Sequence, residues 1–225
     1  MATITAPRSA PPRADLNGTL NRPDSEFGAD QRPPTQQGWG NAGPLALLAF
    51  AVVTFMLSMI NAKAISAGVT PVVLSVGLFF GGGTQLIAGL IQLRSGNTFQ
   101  GVLFSSFGAF WIALAAFLQW FIKGVPASQV GHSLGLLLYA FGMLAAVMLA
   151  ASFRTSRVVV GSLIVLVATF FLLAMGNYGA HAGLIKIGGI TGIVVAAMAT
   201  YLALAELCEF SYGRAVLPVW PLAKP

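Results

Sequence analysis

Charged side chains are scarce along this chain. Asp, Glu, Lys and Arg together make up 8% of its 225 residues, against 56% hydrophobic residues, whereas about a quarter of an average soluble domain is charged. So little charge excludes an ordinary soluble domain and predicts an integral membrane protein. The net charge is +6, but the basic residues lie singly at the ends of apolar stretches, which argues against a nucleic-acid partner.

Residues that carry catalytic or metal-binding chemistry are also few. The single cysteine, Cys208, excludes a disulfide framework and a cysteine-based metal site. No pair of acids faces the interior, no His, Cys, Asp and Glu residues have the spacing of metal ligands, and the glycine run at 81–83 lacks the lysine of a phosphate-binding loop. We therefore expect no enzyme, no metal and no cofactor.

The first forty residues lack any apolar run. They contain six of the twelve prolines and four of the six acids, a composition that cannot bury a core. We predict a disordered cytoplasmic tail over residues 1–40, a six-helix transmembrane domain over 41–218 and a short cytoplasmic tail over 219–225. The first forty residues also lack the apolar region of a cleavable signal peptide, so the first apolar span should direct insertion.

Six apolar stretches follow this tail. Each is close to the ~20 residues that cross ~30 Å of hydrocarbon, and they cover residues 44–62, 71–93, 102–122, 134–152, 157–177 and 187–208. The connections are short, so the sequence predicts a compact all-α bundle of six transmembrane helices. Asn41 ahead of Pro44, Thr70 ahead of Pro71, and Asn97 are expected to cap the first three helices.

Lysine and arginine are divided unevenly between the two sides of the predicted bundle. One side has Arg32, Arg94, Arg154, Arg157, Arg214 and Lys224, and the other has Lys63, Lys123 and Lys186. Because positive residues concentrate on the cytoplasmic side, both termini are predicted to be cytoplasmic in a multi-pass protein of the plasma membrane. His132 and His181 then lie in or near outer loops without an acid beside them, which favours exposed loop histidines over a proton relay.

Polar side chains recur at helical spacing inside several spans. They are Thr54, Ser58 and Asn61 in the first span, Gln85 in the second, and Ser162, Thr169 and Asn177 in the fifth. Ser106 and Trp111 are candidate lining residues of the third span. Such rows can simply hydrogen-bond neighbouring helices, at ~0.6 to 2 kcal/mol each, but several rows together favour a lined pathway. Phe50, Phe107 and Leu166 lie at one depth among them, and large apolar side chains in that arrangement predict a hydrophobic gate.

Glu206 and Glu209 are the two acids at membrane level. They lie at the cytoplasmic end of the sixth span, where Arg154, Arg157 or Arg214 is available as a partner. An acid at the membrane interface costs little free energy and needs no function. We therefore expect a structural or interfacial role for both acids in preference to proton coupling.

Six short motifs are distributed over the predicted helices: NAGPLAL at 41–47, FFGG at 79–82, GNTF at 96–99, FSSFGAFW at 104–111, GN at 176–177 and YGRAVLP at 212–218. In these motifs the chain resembles the acetate uptake transporter family, which includes bacterial succinate/acetate transporters and fungal acetate and ammonia-export relatives. The resemblance runs from residue 41 to about residue 218. Its opening motif contains Asn41, Pro44 and Leu45.

The resemblance implies a ring-shaped homo-hexamer with one pore in each six-helix subunit. Members of the family carry acetate and related short monocarboxylates, and some carry succinate, as channels or as proton-coupled transporters. Aligned by motif, the narrow point of the family's pore falls on Phe50, Phe107 and Leu166.

Two departures separate this chain from the family's usual sequence. Ala42, Gly43 and Ala46 replace a proline, an alanine and a glycine of the opening motif. Phe107 replaces the tyrosine of the gate, so a hydroxyl group that can bond a carboxylate is absent there.

Two other functions fit the same sequence. One is passage of ammonia or another small neutral solute, and the other is a membrane scaffold or sensor whose pore is vestigial. Transport predicts flux into liposomes that contain the purified protein, whereas a scaffold predicts none.

Overall fold

The computed structural model describes residues 39–222. These residues form six helices that are long and apolar enough to cross a membrane, and no strand is found among them. The helices are α1 (Gly43–Asn61), α2 (Ala67–Arg94), α3 (Thr98–Gln119), α4 (Val130–Ala151), α5 (Arg157–Tyr178) and α6 (Ala182–Tyr212). The predicted all-α fold with six spans is confirmed. The predicted tail over residues 1–40 lies outside the described residues except for Trp39 and Gly40.

Several helices extend beyond the apolar stretches that predicted them. The largest difference is in α6, which begins at Ala182 and includes Lys186, whereas the apolar stretch begins at residue 187. Its 31 residues span about 46 Å at 1.5 Å per residue, more than the hydrocarbon requires. Hydropathy marks only the lipid-facing part of a helix, because backbone hydrogen bonding continues through charged residues at its ends.

The predicted caps are right for the third helix and wrong for the second. Asn97 caps α3, and its side-chain oxygen accepts a backbone hydrogen bond at 3.1 Å. The Asn41 side chain accepts one at 2.9 Å from the amide of Gly43, the first residue of α1, but Asn41 lies one position before the N-cap residue of that helix. Thr70 lies inside α2, since that helix begins as a 3₁₀ turn at Ala67 capped by the hydroxyl of Ser66.

Short turns make consecutive helices antiparallel. Helix α1 packs against α2 and α6, α6 packs against α5, α5 against α4, and α2 against α3. We call the end of the bundle with Asn41, Arg94, Arg154 and Tyr212 the proximal end, and the end with Asn61, Lys123 and Ala180 the distal end. The four arginines of the described residues (Arg94, Arg154, Arg157 and Arg214) are thus proximal, and the three lysines (Lys63, Lys123 and Lys186) are at or near the distal end.

Helix α2 changes its winding halfway along. Residues Gly77–Thr84 form a π-helix, and the hydroxyl of Thr84 donates to the carbonyl of Phe79 at 3.3 Å. Single π turns inside α-helices are rare and frequently occur at functional sites. This segment ends directly before Gln85, so it sets the direction in which the Gln85 side chain leaves the helix.

Helices α2 and α3 approach each other closely enough for their backbones to touch. A Cβ atom at Gly108 would lie 2.5 Å from the backbone nitrogen of Leu86 and 2.9 Å from the carbonyl oxygen of Gly82. Backbone atoms cannot move aside as a flexible side chain can, so only glycine fits at position 108. Small residues at such contacts are typical of membrane helix pairs.

The residues after α6 fold back onto the proximal end. Gly213 ends the helix with a left-handed backbone (φ 65°), and residues 213–222 form what we call the C-terminal strap. The strap pairs with the turn between α4 and α5: the Arg157 amide donates to the Trp220 carbonyl at 2.9 Å, and the Leu222 amide donates to the Thr155 carbonyl at 2.8 Å. The predicted boundary between residues 218 and 219 falls inside this strap.

Candidate functional site

A cavity opens at the proximal end and reaches the middle of the bundle. Its volume is about 130 Å³, and its walls come from α1, α2, α3, α5 and α6 together with the turn before α5. Polar residues lie at its proximal mouth, and apolar residues with one amide close its inner end. The mouth contains Gln100, Thr155, Ser162 and Glu206, and the inner end contains Phe50, Gln85, Phe107 and Leu166.

A layer of aromatic rings closes the inner end of this cavity. The ring of Phe107 lies 5.9 Å from the ring of Phe50 and 5.9 Å from that of Phe170, centroid to centroid, and it stacks on Phe170 at 19°. Phe110 meets Phe170 edge-on at 5.2 Å. These distances are typical of favourable aromatic pairs. The structure therefore brings the three residues of the expected gate together and adds Phe170 to them.

Gln85 is a polar side chain at the level of these rings. It is fully buried, and within residues 39–222 neither its Nε2 nor its Oε1 has a hydrogen-bond partner. An unsatisfied buried amide costs roughly 1 to 3 kcal/mol, so such a group calls for an explanation. Gln85 is among the residues that line the cavity, but both polar atoms of its amide are covered by protein.

Polar residues continue on the distal side of the rings. Thr54 and Ser58 follow Phe50 along α1 and are buried, and the Thr54 hydroxyl has no partner within the described part of the chain. Thr169 on α5 lies 2.8 Å from the hydroxyl of Thr191 on α6. None of these residues lines the cavity. The aromatic layer thus separates an open proximal half from a closed distal half that contains polar groups.

The remaining predicted pathway residues lie elsewhere. Asn61 is the last residue of α1, and Asn177 donates to the carbonyl of Leu173 in its own helix at 2.8 Å. Ser106 is half-buried on α3 and does not line the cavity. Trp111 borders a separate cavity of about 10 Å³ between α1, α2 and α3. These four residues do not meet the group around Phe107.

A hydrogen-bonded network surrounds the carboxylate of Glu206 at the mouth. One oxygen accepts from Asn41 Nδ2 at 3.1 Å and the other from Gln100 Nε2 at 3.4 Å. The Asn41 side chain also accepts from Gln92 Nε2. In the described residues the partners of Glu206 are amides and not the arginines available nearby: Asn41 lies just before α1 and Gln100 lies on α3. Pro44 is buried at the start of α1.

Leu45, the third residue of the opening motif, points away from the bundle and is 45% exposed. Of that motif, Asn41 and the backbone amide of Gly43, which donates to the Asn41 side chain, take part in the network at the mouth.

Sequence reasoning named Ser162 and Glu206 but missed Gln100 and Thr155 at the mouth. Gln100 precedes Phe107 by seven residues, and Glu206 follows Val195, Ala199 and Leu202 at spacings of four, three and four, so each lies on the same helical face as inner cavity residues. That periodicity was available in the sequence. Phe170 follows Leu166 by four residues and shares its helical face, but only the structure shows that its ring stacks on Phe107 of α3.

The described residues contain no group of three or more His, Cys, Asp or Glu placed to hold a metal ion. The chemistry of the cavity is therefore that of amides, hydroxyls, one carboxylate and aromatic rings.

Six membrane-spanning helices around a cavity that ends at a ring layer define a membrane protein of the small-solute channel and transporter class. Comparison with known proteins identifies the family within this class. The model of the GPR1/FUN34/yaaH family matches residues 24–224, and the chain belongs to that family. The family resemblance predicted from the motifs is thereby confirmed.

Relatives within this family extend over most of the chain. The succinate-acetate/proton symporter SatP of Escherichia coli is 33% identical over 179 residues, which cover 80% of this chain and 94% of that protein. Ammonia transport outward protein 2 of Saccharomyces cerevisiae is 32% identical over 200 residues, 86% of this chain and 70% of that protein. A solved structure of the bacterial acetate channel SatP matches with a TM-score of 0.75 at 32% identity, over 80% of this chain and 99% of that one.

Replacing Gln85 with leucine should stabilise the protein, because it removes an amide that no protein group satisfies. We expect the free energy of unfolding to rise by about 1 kcal/mol, seen as a higher thermal transition of the purified protein in detergent. Gln92→Leu is the matched control, since Gln92 is as deeply buried but donates to Asn41, and it should destabilise. Equal destabilisation by both substitutions would show that Gln85 is satisfied by the protein.

Proposed function

We propose that this protein is a plasma-membrane channel or proton-coupled transporter for acetate and related short-chain carboxylates, including succinate, and not an enzyme. The observation that carries the proposal is a cavity of about 130 Å³ that ends at an aromatic layer with an unpartnered amide, Gln85, beside it. Filling one water site needs about 10 to 15 Å³ of such volume, so a molecule as small as acetate has room. The names of the relatives support this class of substrate.

The aromatic layer acts as the gate in this proposal. Phe50, Phe107 and Leu166 present apolar surface at one depth, and an apolar constriction excludes hydrated ions because water leaves it. Beside the rings, the Gln85 amide offers a donor to a carboxylate oxygen and an acceptor to a carboxylic O–H. The constriction therefore rejects small hydrated ions and accepts a molecule that has both a methyl group and a carboxyl group.

Thr54, Ser58, Thr169 and Asn177 continue the proposed pathway on the distal side. Asn61 lies at its distal end. Ser106 and Trp111 are residues of α3 that lie outside the cavity. A second candidate is the passage of ammonia, favoured by a cavity that contains no cationic side chain and by the name of the yeast relative. Uptake of labelled methylammonium beside labelled acetate separates the two candidates.

Acetate flux is the direct test. Proteoliposomes with the purified full-length chain should take up radiolabelled acetate faster than protein-free liposomes, and Gln85→Leu should lower that rate by up to about tenfold, the equivalent of ~1.5 kcal/mol for a hydrogen bond to a charged group. An imposed pH gradient that accelerates uptake favours proton coupling, and equal rates favour a channel. Flux no greater than in protein-free liposomes would contradict the proposal.

The gate residues give a second test. Leu166→Ala should widen the constriction and admit larger substrates such as lactate, at a cost of ~2 to 5 kcal/mol if membrane cores behave as soluble ones do. Leu173→Ala on the same helix is the control, since Leu173 is similarly buried but does not line the cavity. Phe107→Tyr adds a hydroxyl group and should change selectivity among monocarboxylates up to about tenfold.

Both gate variants must fold and reach the membrane before their rates are compared. If Leu166→Ala and Phe107→Tyr then match the parent in rate and in substrate range, the constriction lies elsewhere.

We also propose that the proximal end, and with it both termini, faces the cytoplasm. The support is the distribution of positive charge, since the described arginines lie at the proximal end and cytoplasmic loops are enriched in Lys and Arg. In a Cys208→Ala background, an impermeant thiol reagent added to intact cells should label Ser128→Cys at the distal end. It should not label Phe153→Cys, an exposed position at the proximal end. Labelling in the opposite sense would reverse the orientation.

We propose a homo-hexamer with one pore per subunit, as the family resemblance implies. The apolar outer surface of the bundle, with exposed residues such as Phe79, Leu136 and Val147, suits contact with lipid and with other subunits. Native mass spectrometry of the protein released from detergent counts the subunits, and a monomer there would contradict the hexamer.

A further inference from the structure

Glu206 has no part in the gate, yet its carboxylate lines the cavity that leads to the gate. It is the one acidic or basic side chain among the lining residues. A carboxylate is an unexpected lining group in a pathway that carries other carboxylates. Two negative charges at close range repel each other strongly where water is scarce. The role of Glu206 therefore depends on where protons and hydrogen-bond donors are found at the mouth.

Hydrogen-bond donors are few at the mouth. The hydroxyl of Thr155 donates to the carbonyl of Ser152 at 2.7 Å, and that of Ser162 donates to the carbonyl of Val158 at 2.7 Å, so both hydrogens are already used. The Gln100 amide donates one of its two hydrogens to Glu206 at 3.4 Å, a distance at which a hydrogen bond is weak. Apart from the Gln100 amide, an anion that enters the mouth therefore finds few side-chain donors among the described lining residues.

Hydrogen-bond acceptors are in excess at the same place. Gln100 Oε1 is buried without a partner in the described residues, and Glu206, whose carboxylate oxygens are acceptors, is among the residues that line the cavity. Acceptors without donors match a ligand with an O–H group. A carboxylic acid has one, and its anion does not.

The charges around Glu206 do not alter this balance. Helices α1 and α3, which bring the residues that surround it, contain no Asp, Glu, Lys, Arg or His. Glu209, one turn further along α6, is an acid that acts on Glu206 by repulsion. The four arginines at the proximal end, on α2, the turn before α5, α5 itself and the strap, are exposed and make no ion pair with Glu206 in the described residues. Among the described residues that line the cavity, none is positively charged.

We propose that Glu206 is a specificity-determining residue that contacts the substrate at the proximal mouth, so that a short carboxylic acid enters when one proton is shared between its carboxyl group and that of Glu206. This inference rests on the proposed function. Two carboxyl groups that share one proton form a strong hydrogen bond, and the proton belongs to the pair and to neither group alone. The substrate then moves on to Gln85 with the proton, which the solution at the mouth supplies.

The test compares acetate flux at equal pH on both sides of the membrane, between about pH 5.5 and about pH 8. Parent flux should fall by up to about tenfold per pH unit in the upper part of this range, because the shared proton becomes scarce. In Glu206→Gln the new amide donates to the acetate anion directly, so flux should change less than about twofold and exceed the parent at the highest pH. A merely structural role would lower flux equally at every pH.

Glu209→Gln is the matched control, since Glu209 lies on the same helix but is exposed and outside the cavity. It should follow the parent at every pH. If Glu206→Gln also follows the parent, the proposal is overturned. The fluxes of acetate and of methylammonium are also compared between the parent and Glu206→Gln. If only the methylammonium flux depends on Glu206, the mouth is a cation site and the proposal is likewise overturned.

If Glu206→Gln does not fold, a measurement on the unaltered protein can still overturn the proposal. Acetamide has the shape of acetate and a permanent N–H donor, so its flux should not depend on pH, and the ratio of acetamide flux to acetate flux should rise by up to about tenfold per pH unit. A ratio that stays constant would overturn the proposal. Absence of acetate flux by the parent at every pH is a different result, which would contradict the proposed function itself.

Discussion

The cost of an unpaired polar group in hydrocarbon governs most of this structure. In a helix the backbone N–H and C=O groups hydrogen-bond each other. Most of the hydroxyl and amide side chains inside the bundle likewise find a hydrogen-bond partner within their own helix. Ser162, Thr169, Asn177 and Thr200 each bond to the carbonyl four residues earlier in their own helix, at 2.7 to 2.9 Å. Such a side chain can face lipid or protein at little cost, so its presence says little about a pathway.

Gln85 differs because no carbonyl of its own helix takes its amide. The π segment ends directly before Gln85, and α2 meets the backbone of α3 at the next residue, Leu86, opposite Gly108. The packing of two helices thus maintains an unsatisfied amide at the level of the rings. A protein usually retains such a cost where function depends on it.

The sequence predicts the six spans well, because hydropathy over about twenty residues depends on little besides composition. Phe50, Phe107 and Leu166 were expected at one depth, and all three are among the residues that line the cavity. Spacing along a helix predicts a shared face but not the neighbour of that face. Asn177 and Trp111 therefore fall outside the cavity, and spacing did not predict that amides are the partners of Glu206.

Five helices of one chain and the turn before α5 supply the described residues that line the cavity. In the proposed hexamer each subunit therefore has a cavity of its own, and each subunit adds a parallel route with the same chemistry. In a ring that contains both intact and inactive subunits, the loss of flux is then proportional to the number of inactive subunits. One defective subunit does not stop transport through its neighbours.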